Sequence, residues 1–381
     1  MPYKLHDTIP VWGQLQESAL TQIKNCLKHD AAVSAALMAD HHHGYVQPIG
    51  GILAYHQAVS PSGVGYDIGC GNKAVRLDIS ANEIRKNIST IMTDIINVIS
   101  FGVGSKNNKP VDHVLFNDPV WKLEPLMKWK NLASSQLGSL GSGNHYIDIF
   151  VDEQDRAWIG VHFGSRGLGH RIATYFIKAG GGKPNDVSPV ILDVNASIGQ
   201  DYLSAMTLAG QYAYAGRNWV CQRIAKLLGA NILETVHNHH NYAWKERHNG
   251  INLWIVRKGA TPAYPQQRSF VGGSMGDLSV VVEGLDSQES KKALYSTVHG
   301  AGRIMSRTEA AGKYRSGKRS WGKITRQMML DWIQQEGTEL RGANTDESPH
   351  CYRRLTQVLE HHAPTIRILH TLQPIGVAMA G

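Results

Sequence analysis

The chain has 381 residues, 42% of them hydrophobic and 39 of them glycine, enough for a sizeable core with many tight loops. Its formal net charge of +8 favours polyanionic partners such as nucleic acid. Four cysteines without a CxxC pair argue against a disulfide framework.

The opening stretch, MPYKLHDTIPVWG, lacks the apolar segment of a secretory signal. No apolar run reaches the roughly twenty residues of a membrane span. The expectation is a soluble cytoplasmic protein. In chain order, residues 14–39 read as helical, on Leu20, Ile23, Leu27 and the alanine-rich turns that follow. A polar knot, MADHHHGYVQPIGG (38–51), stops that helix, and the glycine-broken apolar runs after it read as strands and loops. Ser80 and Glu83 make a capping-box pattern ahead of Ile84, Ile88, Ile91, Ile95 and Ile99 at helical spacing. Residues 101–135 read as irregular and 157–164 as a strand running into a turn. A long helix is predicted over 201–229, with Tyr202, Ala205, Met206, Ala209 and Tyr212 on one side. Residues 252–259 and 278–284 are strand-like, a helix ends at the glycine of 331–337, and the C-terminus reads as strand around a proline. No repeat, linker or charge block marks a boundary. A single domain over 1–381 of mixed α/β (α+β) class is expected, with a site built from many loops.

Histidine is the unusual component, 19 in all, many clustered beside glycine. Asp67 and Cys70 stand three apart in GYDIGCGN (65–72), where Gly65, Gly69 and Gly71 permit a backbone tight enough to aim both at one point. A thiolate with a carboxylate suits a divalent transition metal; a buried structural cysteine is the plainer alternative. GSGNHYID (141–148) sets Asn144 and His145 behind two glycines, with Asp148 following. His162 closes a strand, and the GSRG loop after it suits a phosphate, through backbone N–H groups and Arg166. TVHNHHNYAWKE (235–246) has three histidines in four positions, so at least one belongs to the scaffold. In STVHGAGRIMSR (296–307), His299 is flanked by small residues and followed by Arg303. Such a histidine can attack phosphorus, and can equally be a ligand or a turn residue. So many glycine-flanked His/Asp/Cys loops in one basic chain point to a multi-metal site acting on phosphate, by phosphoester hydrolysis or nucleotidyl transfer. KYRSGKRSWGKITR (313–326) is basic without an acid. It reads as a solvated loop, or as a phosphate-backbone surface using Lys318, Arg319 and Lys323 with Tyr314 and Trp321 as stacking partners.

These blocks, in this order, resemble the RtcB family of RNA ligases. The matching stretches are MADHHHGY (38–45), GVGYDIGCGN (63–72), GSGNHYID (141–148), HFGSRGLGH (162–170), HNYAWKE (240–246), RKGA (257–260), GGSMG (272–276), HGAGRIMSR (299–307) and DESPHCY (346–352). The resemblance implies one compact α/β domain with a dinuclear metal site. It implies a GTP- and Mn²⁺-dependent ligase that joins RNA 3′-phosphate or 2′,3′-cyclic phosphate ends to 5′-hydroxyl ends. Such ligases act on tRNA or rRNA, in splicing or repair, and the need for an accessory or activating protein stays open. By position, Asp67, Cys70 and His145 would hold one Mn²⁺. Cys70, His162 and His240 would hold the second, with Cys70 bridging. His299 would attack the GTP α-phosphate to form a histidine–GMP intermediate. GMP would pass to the RNA 3′-phosphate, and the 5′-hydroxyl would then displace it. Asn144, Asp148, Asn241, Gly272, Gly273, Ser274, Met275, Ser279, Gly300, Ala301 and Gly302 match guanylate-contacting positions. Asp40 and His43 belong near the site, and Arg166 and Arg303 are candidates for RNA contact along with Lys318, Arg319 and Lys323.

The chain departs from the family pattern in four places. Asp148 stands for the usual glutamate, Gly272 for a proline, and Ala380 for the lysine of a C-terminal Val-Lys-Gly. The 179–200 segment is also compact. These mark a divergent paralogue and keep two other readings open. One is a metal-dependent phosphodiesterase that opens cyclic phosphate ends without ligation; the other is a non-enzymatic RNA-binding remnant.

Overall fold

A computed structural model describes residues 2–183, 186–315 and 318–381, without the side chains of residues 314, 315, 318 and 319. Two sheets carry the architecture. The first orders Tyr3–His6, Ile9–Trp12, Ala32–His42, Ile49–Tyr55, Ile251–Lys258 and Asn241–His248. The second orders Ile232–His239, Gly71–Ser80, Arg156–Phe163, Tyr146–Asp152, Ile366–Met379, Ser279–Gly284 and Arg268–Val271, with Glu339–Arg341 pairing parallel to Ile366–Met379. Strands mix with long helices in the α/β class that the sequence predicts.

The helix Ala81–Val98 buries Ile84, Ile91, Met92 and Ile95. With Val220, Cys221 and Ile224 of the helix Ser197–Leu227, they cover Ile147, Ile149, Ile159 and Val161 on one face of the second sheet. Phe150, Trp158, Phe270 and Val281 fill its other face. Alternate strand residues point to opposite faces, so a sheet buried on both sides reads as an unbroken apolar run. Ser80 is the N-cap residue of Ala81–Val98, but its side chain makes no capping hydrogen bond.

Residues 28–39 depart from expectation. The first helix covers only Glu17–Leu27, and the alanine-rich run becomes the strand Ala32–His42. Ala35 and Leu37 pack into one core while Ala36 and Met38 pack into another. That two-sided burial, between partners on either edge, overrides the helical propensity of alanine.

The two sheets meet where the candidate ligands sit. His162 pairs with Asn72 on one side and Tyr146 on the other, and His239 pairs with Gly71. Cys70, His145, His162 and His240 therefore gather at one end of the second sheet. His240 is the link where the chain leaves Ile232–His239 and enters Asn241–His248 of the first sheet.

A buried ion pair fixes the edge of the first sheet. Arg257, fully buried, donates to both carboxylate oxygens of Glu246, at 2.6 and 3.0 Å. His248 and Tyr264 also face that carboxylate, at 2.9 Å each. Burial alone would raise the Glu246 pKa, but Arg257, His248 and Tyr264 bring it down to about 2. The stability from this ionisation is present above the ordinary glutamate value and lost as pH falls through about 2. Glu246→Gln leaves the guanidinium unpaired and is expected to cost about 3–5 kcal/mol in urea unfolding at neutral pH. The difference from wild type should shrink as pH drops below about 4.

Candidate functional site

A cleft of about 1260 Å³ opens over the meeting point of the sheets. Asp67, Cys70, His145, His162, His240 and His299 all line it. Cys70 Sγ lies 3.8 Å from His145 Nε2 and 3.7 Å from His162 Nε2. His145 Nε2 is 3.1 Å from Asp67 Oδ2. The His240 ring centroid is 5.1 Å from that of His162 and 5.0 Å from that of His299. Asp67 Oδ1 accepts the Ser165 backbone N–H at 3.1 Å, and a Cβ at Gly164 would overlap this carboxylate. Glycine is what lets the loop after His162 close on Asp67.

The donor chemistry fits a divalent transition metal. Candidate ligand atoms of Cys70, His145 and His162 all lie within 4.8 Å of one another. Asn72 Oδ1 accepts from His162 Nδ1 at 2.6 Å, which places that ring's proton on Nδ1 and leaves the Nε2 lone pair toward Cys70. His145 Nδ1 and His240 Nδ1 are buried without a hydrogen-bond partner among the described residues. Burial holds His162 and His240 well below the ordinary histidine value, in the neutral form that ligates. Burial, then the Asp67 carboxylate, pushes the Cys70 thiol well above its ordinary value. A bound cation reverses that preference by binding the thiolate.

Next to the cluster is an oriented imidazole. His299 Nδ1 sits 2.6 Å from Asp40 Oδ2, and the same oxygen accepts the backbone N–H groups of His299 and Gly300 at 2.9 and 3.3 Å. Asp40 is fully buried, and its second oxygen has no partner. Burial opposes ionisation of this carboxyl, but the charge and hydrogen bonds of His299 hold its pKa below the ordinary value. In the neutral ring, a proton held on Nδ1 by Asp40 leaves Nε2 with a free lone pair. Gly302, at φ +75°, brings the loop so close that a Cβ there would overlap the Asp40 backbone. His42 stacks 6.4 Å from His299, with its pKa lowered by burial to about 3. His43 lines the same cleft.

The remaining sequence candidates divide. Asn144, Asp148, Asn241, Gly272, Gly273, Ser274, Met275, Gly300, Ala301 and Gly302 line the cleft. Ser279 is buried behind it, where its hydroxyl accepts the Gly273 N–H at 2.9 Å and braces that loop. Gly272 has no room for a side chain, because a Cβ would overlap the Tyr146 hydroxyl. Asp148 is buried with Oδ1 unpartnered, and burial holds its carboxyl well above the ordinary value. Ala380, also buried, brings no charge to the C-terminal segment.

Arg166 and Arg303 line the cleft, but their guanidiniums are engaged within the protein. Arg166 donates to Ser139 Oγ, Gly102 O and Ser105 Oγ. Arg303 donates to Glu347, the Tyr352 hydroxyl and Asp346 O. Lys323 pairs with Glu309 at 2.6 Å on the surface. The side chains of Lys318 and Arg319 lie outside the described residues.

Sequence reasoning missed Asn72, although it lies two residues beyond Cys70, in the strand Gly71–Ser80, and pairs with His162. It also missed Arg217, a fully buried residue of the helix Ser197–Leu227. Arg217 donates to Gly69 O at 3.0 Å, to Phe163 O and to His237 Nε2 at 2.8 Å. It thereby ties the backbone before Cys70 to the backbone after His162. A lone arginine on a helix gives no sequence signal of that task.

The fold is mixed α/β, and the sulfur, nitrogen and oxygen donors in its cleft make a candidate metal site. Comparison with known sequences is more specific, for the tRNA-splicing ligase RtcB family matches residues 22–380. The chain belongs to that family. It is 29% identical to the RNA-splicing ligase RtcB of Escherichia coli strain K12, over 89% of this chain and 88% of the relative. It is 29% identical to the tRNA-splicing ligase RtcB of Thermococcus kodakarensis, over 90% and 86%. The tRNA-splicing ligase RtcB of Archaeoglobus fulgidus is 28% identical over 96% and 91%.

Proposed function

We propose that the chain, acting as one domain, is an RNA ligase that uses GTP and Mn²⁺ to join RNA 3′-phosphate or 2′,3′-cyclic phosphate ends to 5′-hydroxyl ends. The observation that carries this reading is His299: an imidazole oriented by a buried carboxylate, 5.0 Å ring to ring from His240 at the edge of the Cys70 cluster. Asp67, Cys70 and His145 would hold one cation, and Cys70, His162 and His240 a second. The cations supply Lewis-acid neutralisation of phosphate charge. The protein supplies the rest. Asp40 keeps the Nδ1 proton in place, so Nε2 of His299 meets the α-phosphorus of GTP with its lone pair. The GMP–histidine bond forms as pyrophosphate leaves. Asp40 then balances the positive charge that develops on the ring. The glycine loops at 272–276 and 299–302 offer backbone N–H groups to the guanylate.

Asn72 gives a test of the ligand shell. Asn72→Ala frees the His162 Nδ1 proton and is expected to weaken Mn²⁺ binding by about 10–100-fold. Titration of the metal-free protein with Mn²⁺, read by calorimetry, measures it; an unchanged affinity places His162 outside the metal shell.

A second reading, a cyclic phosphodiesterase without ligation, is favoured by Ala380 and by a buried Asp148 with an unpartnered oxygen. The two differ in product. GTP-dependent joining of a 3′-phosphate RNA to a 5′-hydroxyl RNA supports the ligase. Opening of cyclic ends without GTP and without joined product supports the alternative.

A further inference from the structure

The cleft has a wall that neither the ligand cluster nor the guanylate positions use. Tyr45, 74% exposed, packs edge-on against Tyr66 with ring centroids 5.9 Å apart. Tyr66 in turn stacks on His170 at 5.1 Å and 26°. All three rings line the cleft, as do Arg171 and Lys106. Tyr66 immediately precedes Asp67, so the ladder approaches the metal ligands from the Gly65 side. Tyr146 stacks on His162 and Gly272 pairs with Gly300, so those guanylate-side residues are tied to other parts of the site. Lys258 adds an independent observation. It is 6% exposed, its Nζ has no hydrogen-bond partner among the described residues, and it sits 5.8 Å from the Tyr45 ring centroid. Gly65 leaves the space it occupies, since a Cβ there would lie 3.3 Å from Lys258 Cε. A buried ammonium without a partner is costly, and an incoming anion relieves that cost.

We propose that the Tyr45–Tyr66–His170 ladder, with Lys258 beside it, is a stacking subsite for single-stranded RNA, holding bases on the rings and a backbone phosphate at the ammonium. It rests on the ligase reading above and says where that reading's RNA enters. Every base has a π-face, so stacking on aromatic rings grips RNA without selecting sequence. An end held there projects its terminal phosphate toward the Asp67 side of the metal cluster. The subsite takes over the work that Arg166 and Arg303, tied up internally, are not placed to do.

The test uses the full-length protein and a short single-stranded RNA with a 5′-hydroxyl and a 3′-phosphate, without GTP or metal, so the chemistry of His299 does not enter. Tyr45 and His170 are exposed, so their truncation leaves the core intact. Tyr45→Ala and His170→Ala are each expected to weaken binding about tenfold, within the range for one lost stacking contact. Tyr45→Phe, which keeps the ring, should bind as wild type does. An RNA with abasic residues at its ends should bind weakly to wild type and no more weakly to Tyr45→Ala. Wild-type affinity in both alanine variants overturns the subsite. Loss of GTP labelling in Tyr45→Ala with unchanged RNA affinity also overturns it, by assigning the ladder to guanine. A protein that binds RNA through the ladder but never labels with GTP upholds the subsite and rejects the ligase.

Discussion

Cys70→Ala is expected to abolish both metal binding and guanylylation while the protein stays folded. In the proposed site Cys70 would belong to the ligand set of each cation, so its loss would leave neither set complete. The loss should exceed the 10–100-fold typical of a residue that only supports a ligand. The fold survives because the change removes a single atom from a site organised by other contacts: Asp67 through Ser165, His162 through Asn72, and the backbone through Arg217. No charge is stranded either, since without a cation the thiol is protonated beside Asp67. Metal analysis of the purified variant, with a thermal melt as control, reads both halves. A variant that keeps two equivalents of Mn²⁺ returns Cys70 to the role of a buried structural thiol.

Asp40→Asn is the second large effect, expected to slow His299 guanylylation by about 10²–10⁴-fold, the scale seen when a carboxylate that orients a catalytic imidazole becomes an amide. Three donors converge on Oδ2 of Asp40: the ring Nδ1 and two backbone N–H groups. An amide oxygen can replace that acceptor, but the amide NH₂ then falls in the buried position of Oδ1, where no partner waits. The negative charge that steadies the ring as it bonds to phosphorus is also gone. Metal affinity should be unchanged, since none of the proposed ligands bonds to Asp40. Single-turnover labelling with saturating GTP reads the chemical step, and Mn²⁺ titration reads the control. Labelling at the wild-type rate removes Asp40 from the mechanism.

Much of this site was legible in the sequence because glycine punctuates it. Several site residues stand against a glycine whose side chain would collide, as Gly164 shows beside Asp67 and Gly302 beside Asp40. The long helix, Ala81–Val98 and the strands ending at Phe163, Lys258 and Gly284 follow local periodicity and were predicted from it. Residues 28–39 were not, because alanine favours helix locally while two-sided burial in a sheet is a property of the whole fold. The same limit hid Arg217 and Asn72. Their tasks depend on partners about 20 to 150 residues away, and no spacing rule reaches that far. Arg166 and Arg303 show a different limit of the sequence. Arginine beside a histidine loop suggests phosphate contact, yet carbonyls, hydroxyls and acids of distant segments engage both guanidiniums.

The central claim is that His299 becomes covalently joined to GMP. Incubation of the protein with Mn²⁺ and α-labelled GTP, followed by denaturing electrophoresis, tests it most directly. The account predicts label on the wild-type chain that is released by acid, as a phosphoramidate is, and none on His299→Ala. No label on the wild type, or equal label on the variant, would contradict it.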